Sequence, residues 1–124
     1  MPSNAATVRA IWDAFERDGL AALLTHTDPD MAWLPARSDG RRLHGHAELR
    51  AFFGFMRDAG MALHARADSI EEVRDTVLVR GSLRVERDGA MRESTMVWAF
   101  LVRDGRVRES RAFRSCAEAR AAVE

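Results

Sequence analysis

The chain has 124 residues, of which 47% are hydrophobic and 31% charged, and 19 basic residues balance 19 acidic ones to a formal charge of zero. That length fits one domain, residues 1–124, able to bury a core without cross-links, and the single Cys116 excludes an intramolecular disulfide framework. Acids and bases alternate instead of clustering, which argues against a nucleic-acid or anionic-membrane partner, and without a signal-peptide pattern or a membrane-length apolar run the expected location is cytoplasmic.

Every basic residue is an arginine; lysine, tyrosine and glutamine are absent. Lysine-anchored pyridoxal-phosphate chemistry and imine-forming aldolase chemistry are thereby excluded. No phenol is available as an acid or oxyanion donor.

In "AATVRAIWDAFERDG" the apolar residues Val8, Ile11, Trp12 and Phe15 recur at helical spacing. Asp18-Gly19 breaks this helix, and 20–27 reads as a short second one. Asp28-Pro29 marks a turn, 30–36 a short strand ended by Pro35, and 38–42 a loop with a glycine turn. After Gly45, Leu49, Phe52, Phe53 and Met56 predict a third helix, stopped near Gly60.

From residue 62 the period changes to that of strands. Four runs follow, beginning "ALHARADSIEEV", "DTVLVRGSLRVER", "AMRESTMVWAFLVR" and "RVRESRAFR". Asp88-Gly89 and Asp104-Gly105 join the last three, and Asp-Gly between alternating runs is a strong hairpin signal. "SCAEARAAVE" is a short terminal helix or tail. Helices segregated from an antiparallel meander predict an α+β fold, with helices on one face of a curved sheet.

Two-residue turns fix a register. It sets Val79 opposite Trp98 and Leu83 opposite Ser94. An uninterrupted last hairpin sets Trp98 opposite Arg111 and Met96 opposite Phe113. One face then holds Val77, Val79, Leu83, Val85, Met96, Trp98, Phe100, Val102, Val107 and Phe113, interrupted by Glu109 and Arg111. The other face is mixed, in the manner of a subunit interface. A bulge would swap the assignment locally.

"LHGHAELRAFF" (43–53) holds His44 and His46 around Gly45. A zinc site needs about three or four ligands, and no further ligand follows locally. The expectation is no metal, and the alternative reading of the stretch is a corner where a strand turns into a helix.

The chain resembles the nuclear-transport-factor-2-like superfamily, most closely its SnoaL-like and ketosteroid-isomerase-like branches. "VRAIWDAFERDGLAALL", "DPDMAWLP", "LHGHAELRAFF" and "FLVRDGRVRESRAF" carry the resemblance. It implies a cone-shaped half-barrel, with N-terminal helices packed on a curved, mainly antiparallel sheet. It also implies a homodimer and an apolar pocket for a small apolar or amphipathic molecule. The activities implied are cofactor-free isomerisation, cyclisation or hydrolysis; the alternative is a non-catalytic binding or interaction domain.

The isomerase-like acids do not carry over. Leu34 occupies the place of the base before the strand-ending proline. Ile11 or Trp12 stands near the place of the tyrosine on the first helix, and Trp98 or Ala99 near that of the acid on the penultimate strand. An epoxide-hydrolase-like Asp–Arg–Asp set does not map, although Asp13 and Asp68 are present. A cyclase-like histidine–aspartate pairing leaves His64 as the acid–base candidate, with Arg66 and Asp68 on its side of the strand by alternation. The expected pocket residues are Trp12, Phe15, Trp33, Leu34, Phe52, Phe53, Met56, Trp98 and Arg111. In a cone, core-facing and pocket-lining positions largely coincide. Arg111, if inward, needs Glu109 or an anionic ligand as partner; as a rim residue it would lie over Trp98.

Overall fold

A computed structural model of the chain describes residues 3–34 and 42–123. Its elements in order are α1 (Asn4–Asp18), α2 (Leu20–Thr25), β1 (Thr27–Leu34), β2 (Leu43–His44), α3 (Gly45–Asp58), β3 (Met61–Val73), β4 (Thr76–Arg87), β5 (Ala90–Arg103), β6 (Arg106–Phe113) and α4 (Cys116–Val123). One six-stranded sheet runs β2-β1-β6-β5-β4-β3. All its pairings are antiparallel except β1 with β6. The fold is α+β, the cone-shaped half-barrel with helices on a mainly antiparallel sheet. Pro35 and residues 38–41 of the expected loop lie outside the described residues.

Local chemistry explains the element ends. Ser3 caps α1, its hydroxyl accepting from the Ala6 N–H at 3.1 Å. At the histidine pair, β2 ends on His44 and Gly45 takes φ +80° as α3 begins. A Cβ at Gly45 would press on the Pro29 carbonyl oxygen, so the corner needs glycine on both counts. Glu48, in the first turn of α3, accepts from the His44 N–H at 3.0 Å and so satisfies the backbone donor of the N-cap residue. His46 is tied to β1: its Nε2 lies 3.1 Å from Thr27 Oγ1 and 3.2 Å from the Thr27 carbonyl oxygen. Thr27 Oγ1 donates to the Leu24 carbonyl, so the network places the imidazole proton on Nε2.

Three irregularities shape the sheet. The expected Asp28-Pro29 turn is a break inside β1, where the Asp28 carboxylate accepts from the Asp30 N–H at 2.9 Å. In β3 an extra residue enters between Ala67 and Ser69. Gly81 faces that bulge on β4, and a Cβ there would collide with the Arg66 carbonyl. In β6 Leu101 pairs with Glu109 and Val102 with Val107, so Arg108 is the extra residue.

The β4–β5 register is the one expected, with Val79 opposite Trp98 and Leu83 opposite Ser94. The last hairpin is not. Trp98 stands opposite Ala112, Arg111 opposite Ala99 and Phe113 opposite Val97. Because side chains alternate with period two, the one-residue insertion turns Ser110 and Ala112 inward and Glu109, Arg111 and Phe113 outward. Arg108 itself pairs with Asp28 at 3.8 Å.

The main core lies between α1, α2, α3 and the inner sheet face, with Val8, Met31, Leu49, Val77, Val79 and Val107 at most 2% exposed. A smaller core sits on the outer face, where Leu78, Val97 and Ala99 meet Ala119 of α4, with Phe113 and Cys116 packed against them. The outer face reads as mixed because α4 covers part of it. Arg120 fastens α4 to β3 through two hydrogen bonds to the Glu71 carboxylate, at 2.6 and 2.8 Å. These bonds, with a smaller contribution from Cys116, push the guanidinium further above its ordinary range. No helix among the described residues is long and apolar enough to cross a membrane.

Candidate functional site

The amphipathic faces of α1 and α3 do not fully close on the sheet. They leave a cavity of about 130 Å³. Helix α1 contributes Val8, Ile11, Trp12 and Phe15, and α3 contributes Phe52, Phe53 and Met56. Trp33 and Leu34 come from the end of β1, and Trp98 and Phe100 from β5. Eight of the nine expected pocket residues therefore line one cavity.

Arg111 is the exception and a correction. The Arg108 bulge turns it to the outer face, where Nε meets Glu109 at 2.9 Å and the guanidinium lies 5.7 Å from the Phe113 ring centre. The expected partner Glu109 is right. The expected aromatic, Trp98, is replaced by Phe113 because both residues moved to the outer face together. Ser110, 1% exposed, and Ala112 take the inward places, and both line the cavity. Sequence reasoning missed these two. The signal was the pair of charges interrupting an otherwise apolar face.

His64 does not reach the cavity. It projects from the outer side of edge strand β3, about half exposed, with Nε2 3.9 Å from Glu86. Arg66 meets Asp68 at 3.0 Å, but Asp68 is the bulge residue, so the simple alternation expected for the trio is broken. Neighbouring Arg84 lies 3.5 Å from the same Glu86. These are exposed ion pairs on a solvated face, worth little each.

The aromatic walls hold one another edge-on. Trp12 meets Trp98 with ring centres 5.1 Å apart at 65°, and Phe100 at 6.1 Å and 88°. Phe53 meets Phe15 at 6.2 Å and Phe52 at 5.7 Å. Edge-to-face contacts of this kind place the positive ring edge on the negative face of the neighbour. Among the described lining residues only Ser110 and the three tryptophans carry a polar side-chain atom. Trp12 Nε1 is buried without a hydrogen-bond partner. No aspartate, glutamate, histidine or arginine is among the described lining residues. Among the described residues, no group of three or more histidine, cysteine, aspartate or glutamate side chains is arranged to hold a metal.

The sequence model of the SnoaL-like domain matches residues 8–110. The chain belongs to the SnoaL-like family. Within the nuclear-transport-factor-2-like superfamily, a protein of unknown function from Burkholderia pseudomallei is similar in structure at TM-score 0.79 and 25% identity, covering 99% of this chain and 98% of its own. A Xanthomonas campestris protein proposed to be a polyketide cyclase is similar at TM-score 0.75 and 21% identity, over 96% and 95%. An epoxide hydrolase from M. tuberculosis is similar at TM-score 0.70 and 15% identity, over 96% and 87%. The last two likenesses are of fold. No curated protein matches the chain.

Proposed function

We propose that this SnoaL-like domain binds a small, largely apolar molecule in the cavity between α1, α3 and the inner sheet face. The observation that carries the reading is the wall itself. Three tryptophans, four phenylalanines and aliphatic side chains surround open space where close packing is the norm for a core.

The SnoaL-like relationship supports a small-molecule partner. Cofactor-free isomerisation, cyclisation and hydrolysis each need a proton donor or acceptor at the reacting atom. The described walls carry no titratable group, so binding and shielding is the reading these walls favour over catalysis. A homodimer and a cytoplasmic location complete the proposal. The family resemblance supports the first and the lone cysteine the second.

Native mass spectrometry of protein purified without added ligand, followed by denaturing analysis of whatever is released, tests both parts. A dimer carrying one small apolar molecule per chain is the expected result. A ligand-free protein that also fails to take up added toluene would contradict the binding reading, and a monomer would contradict the dimer.

A further inference from the structure

We propose that the cavity selects uncharged molecules of single-ring bulk that carry no hydrogen-bond donor, with monocyclic hydrocarbons as the simplest members of the class. The proposal rests on the cavity being a ligand site.

Size sets the first limit. A dry apolar cavity of about 150 Å³ accepts benzene. The 130 Å³ here matches one ring with a short substituent. The wall has little room to give. Trp12 is set edge-on against Trp98 and Phe52 against Phe53, while Val8 and Ile11, neighbours of Trp12 on α1, are buried in the core. A fused pair of rings would have to push these side chains apart, and overpacking a close-packed wall is costly.

Charge sets the second. No cationic or anionic side chain is among the described lining residues, and the outward turn of Arg111 removes the one candidate counter-ion that sequence placed there. An ionised ligand would lose its hydration with nothing in exchange.

The shortage of acceptors sets the third. A buried hydroxyl or amine must place its proton on an acceptor to recover the hydrogen bond it made to water. Indole N–H groups only donate, so the three tryptophans of the wall cannot take that proton. At Trp12 the nitrogen does not even face the open space. It has essentially no accessible surface, so this ring meets the cavity through carbon. The lining residues belong to helices and paired strands, whose own hydrogen bonds engage most of their carbonyls. That leaves the Ser110 hydroxyl, on a residue only 1% exposed. A donor on the ligand therefore enters unpaired, whereas a hydrocarbon gives up no hydrogen bond.

The test uses four probes on the unmodified protein: toluene, phenol, benzoate and naphthalene. Phenol keeps nearly the shape of toluene and adds a donor, benzoate adds a charge, and naphthalene adds a second ring. Each is titrated into methyl-labelled protein. Dissociation constants are taken from the resonances of Val8, Ile11 and Val107, which line the cavity. Toluene is expected to bind saturably, with each of the other three at least about tenfold weaker. Naphthalene is the strictest comparison. It is more hydrophobic than toluene, so a site governed by apolar area alone would bind it more tightly.

Phenol binding as tightly as toluene would overturn the exclusion of donors. Benzoate doing so would overturn the exclusion of charge, and naphthalene doing so the single-ring limit. Each of these results leaves the cavity a ligand site. If none of the four probes moves the cavity resonances, that broader reading falls with the proposal.

Discussion

Trp98 and Ala112 face each other across β5 and β6. Beside a tryptophan that walls the cavity, β6 presents a methyl group where an unbulged hairpin would present a guanidinium. The inserted Arg108 causes this, and Asp28 at 3.8 Å gives the inserted side chain a partner at the surface. Two substitutions one residue apart therefore have opposite consequences. Arg111→Ala is expected to leave the affinity for a neutral ring ligand unchanged and to shift stability by no more than about 0.5 kcal/mol. Ala112→Leu fills the cavity. It is expected to weaken the same ligand by about tenfold while changing stability by less than about 1.5 kcal/mol. Calorimetric titration and thermal melts of the two variants check this pair.

His64→Ala separates the outer-face ion pairs from the cavity. The histidine is about half exposed and its nearest carboxylate, Glu86, is 3.9 Å away. The expected outcome is a ligand affinity equal to that of the wild type and a stability change within about 0.5 kcal/mol. A large loss of binding would mean that His64 acts on the cavity from outside it.

Gly81→Ala tests the β3 bulge. The added methyl would run into the Arg66 carbonyl on the neighbouring strand, so β3 and β4 must separate locally or the bulge must move. A destabilisation of about 1–3 kcal/mol is expected from the denaturation midpoint. Gly89→Ala carries a different signature. A Cβ there meets nothing within 4 Å, and only its φ of +82° opposes the change. Its loss is expected to be smaller, about 1 kcal/mol.

The Arg120–Glu71 pair fastens α4 over the outer-face core, but both side chains are more than a third exposed. A double-mutant cycle on Arg120→Ala and Glu71→Ala is expected to give a coupling of only about 0.2–1 kcal/mol, shrinking as salt is added. Burial of Leu78, Val97 and Ala99 under Ala119 holds α4 down more than the ion pair does. Ala119→Asp is therefore expected to destabilise the protein more than either charge removal does.

Where backbone conformation is dictated by residue type, the sequence is readable. Asp88-Gly89 and Asp104-Gly105 both take positive φ at their two turn positions, as their hairpins require. Gly45 and the helical spacing of α1 and α3 were equally legible, and with them eight of the cavity residues. The β3–β4 turn left no such mark, because Arg74 accepts φ +57° without glycine or asparagine. The Arg108 bulge was hidden for a related reason. Period-two alternation runs unbroken through Val107, Glu109, Arg111 and Phe113. Only the cost of burying Glu109 and Arg111 beside Trp98 argues for an insertion, and alternation does not weigh that cost. Ser110 and Ala112, small residues on an apparently outward face, were lost with it.

The central claim is that one cavity, inside the cone and not on its outer face, receives a small apolar molecule. Methyl-labelled protein carries its own control. Val8, Ile11, Leu23, Met56, Leu63, Leu83 and Val107 line the cavity, whereas Leu78, Val97 and Val123 belong to the core beneath α4. Titration with toluene, followed by methyl NMR, is expected to shift the first set saturably and leave the second in place. Resonances that stay fixed throughout, or shifts spread evenly over both sets, would contradict a ligand site in the cone.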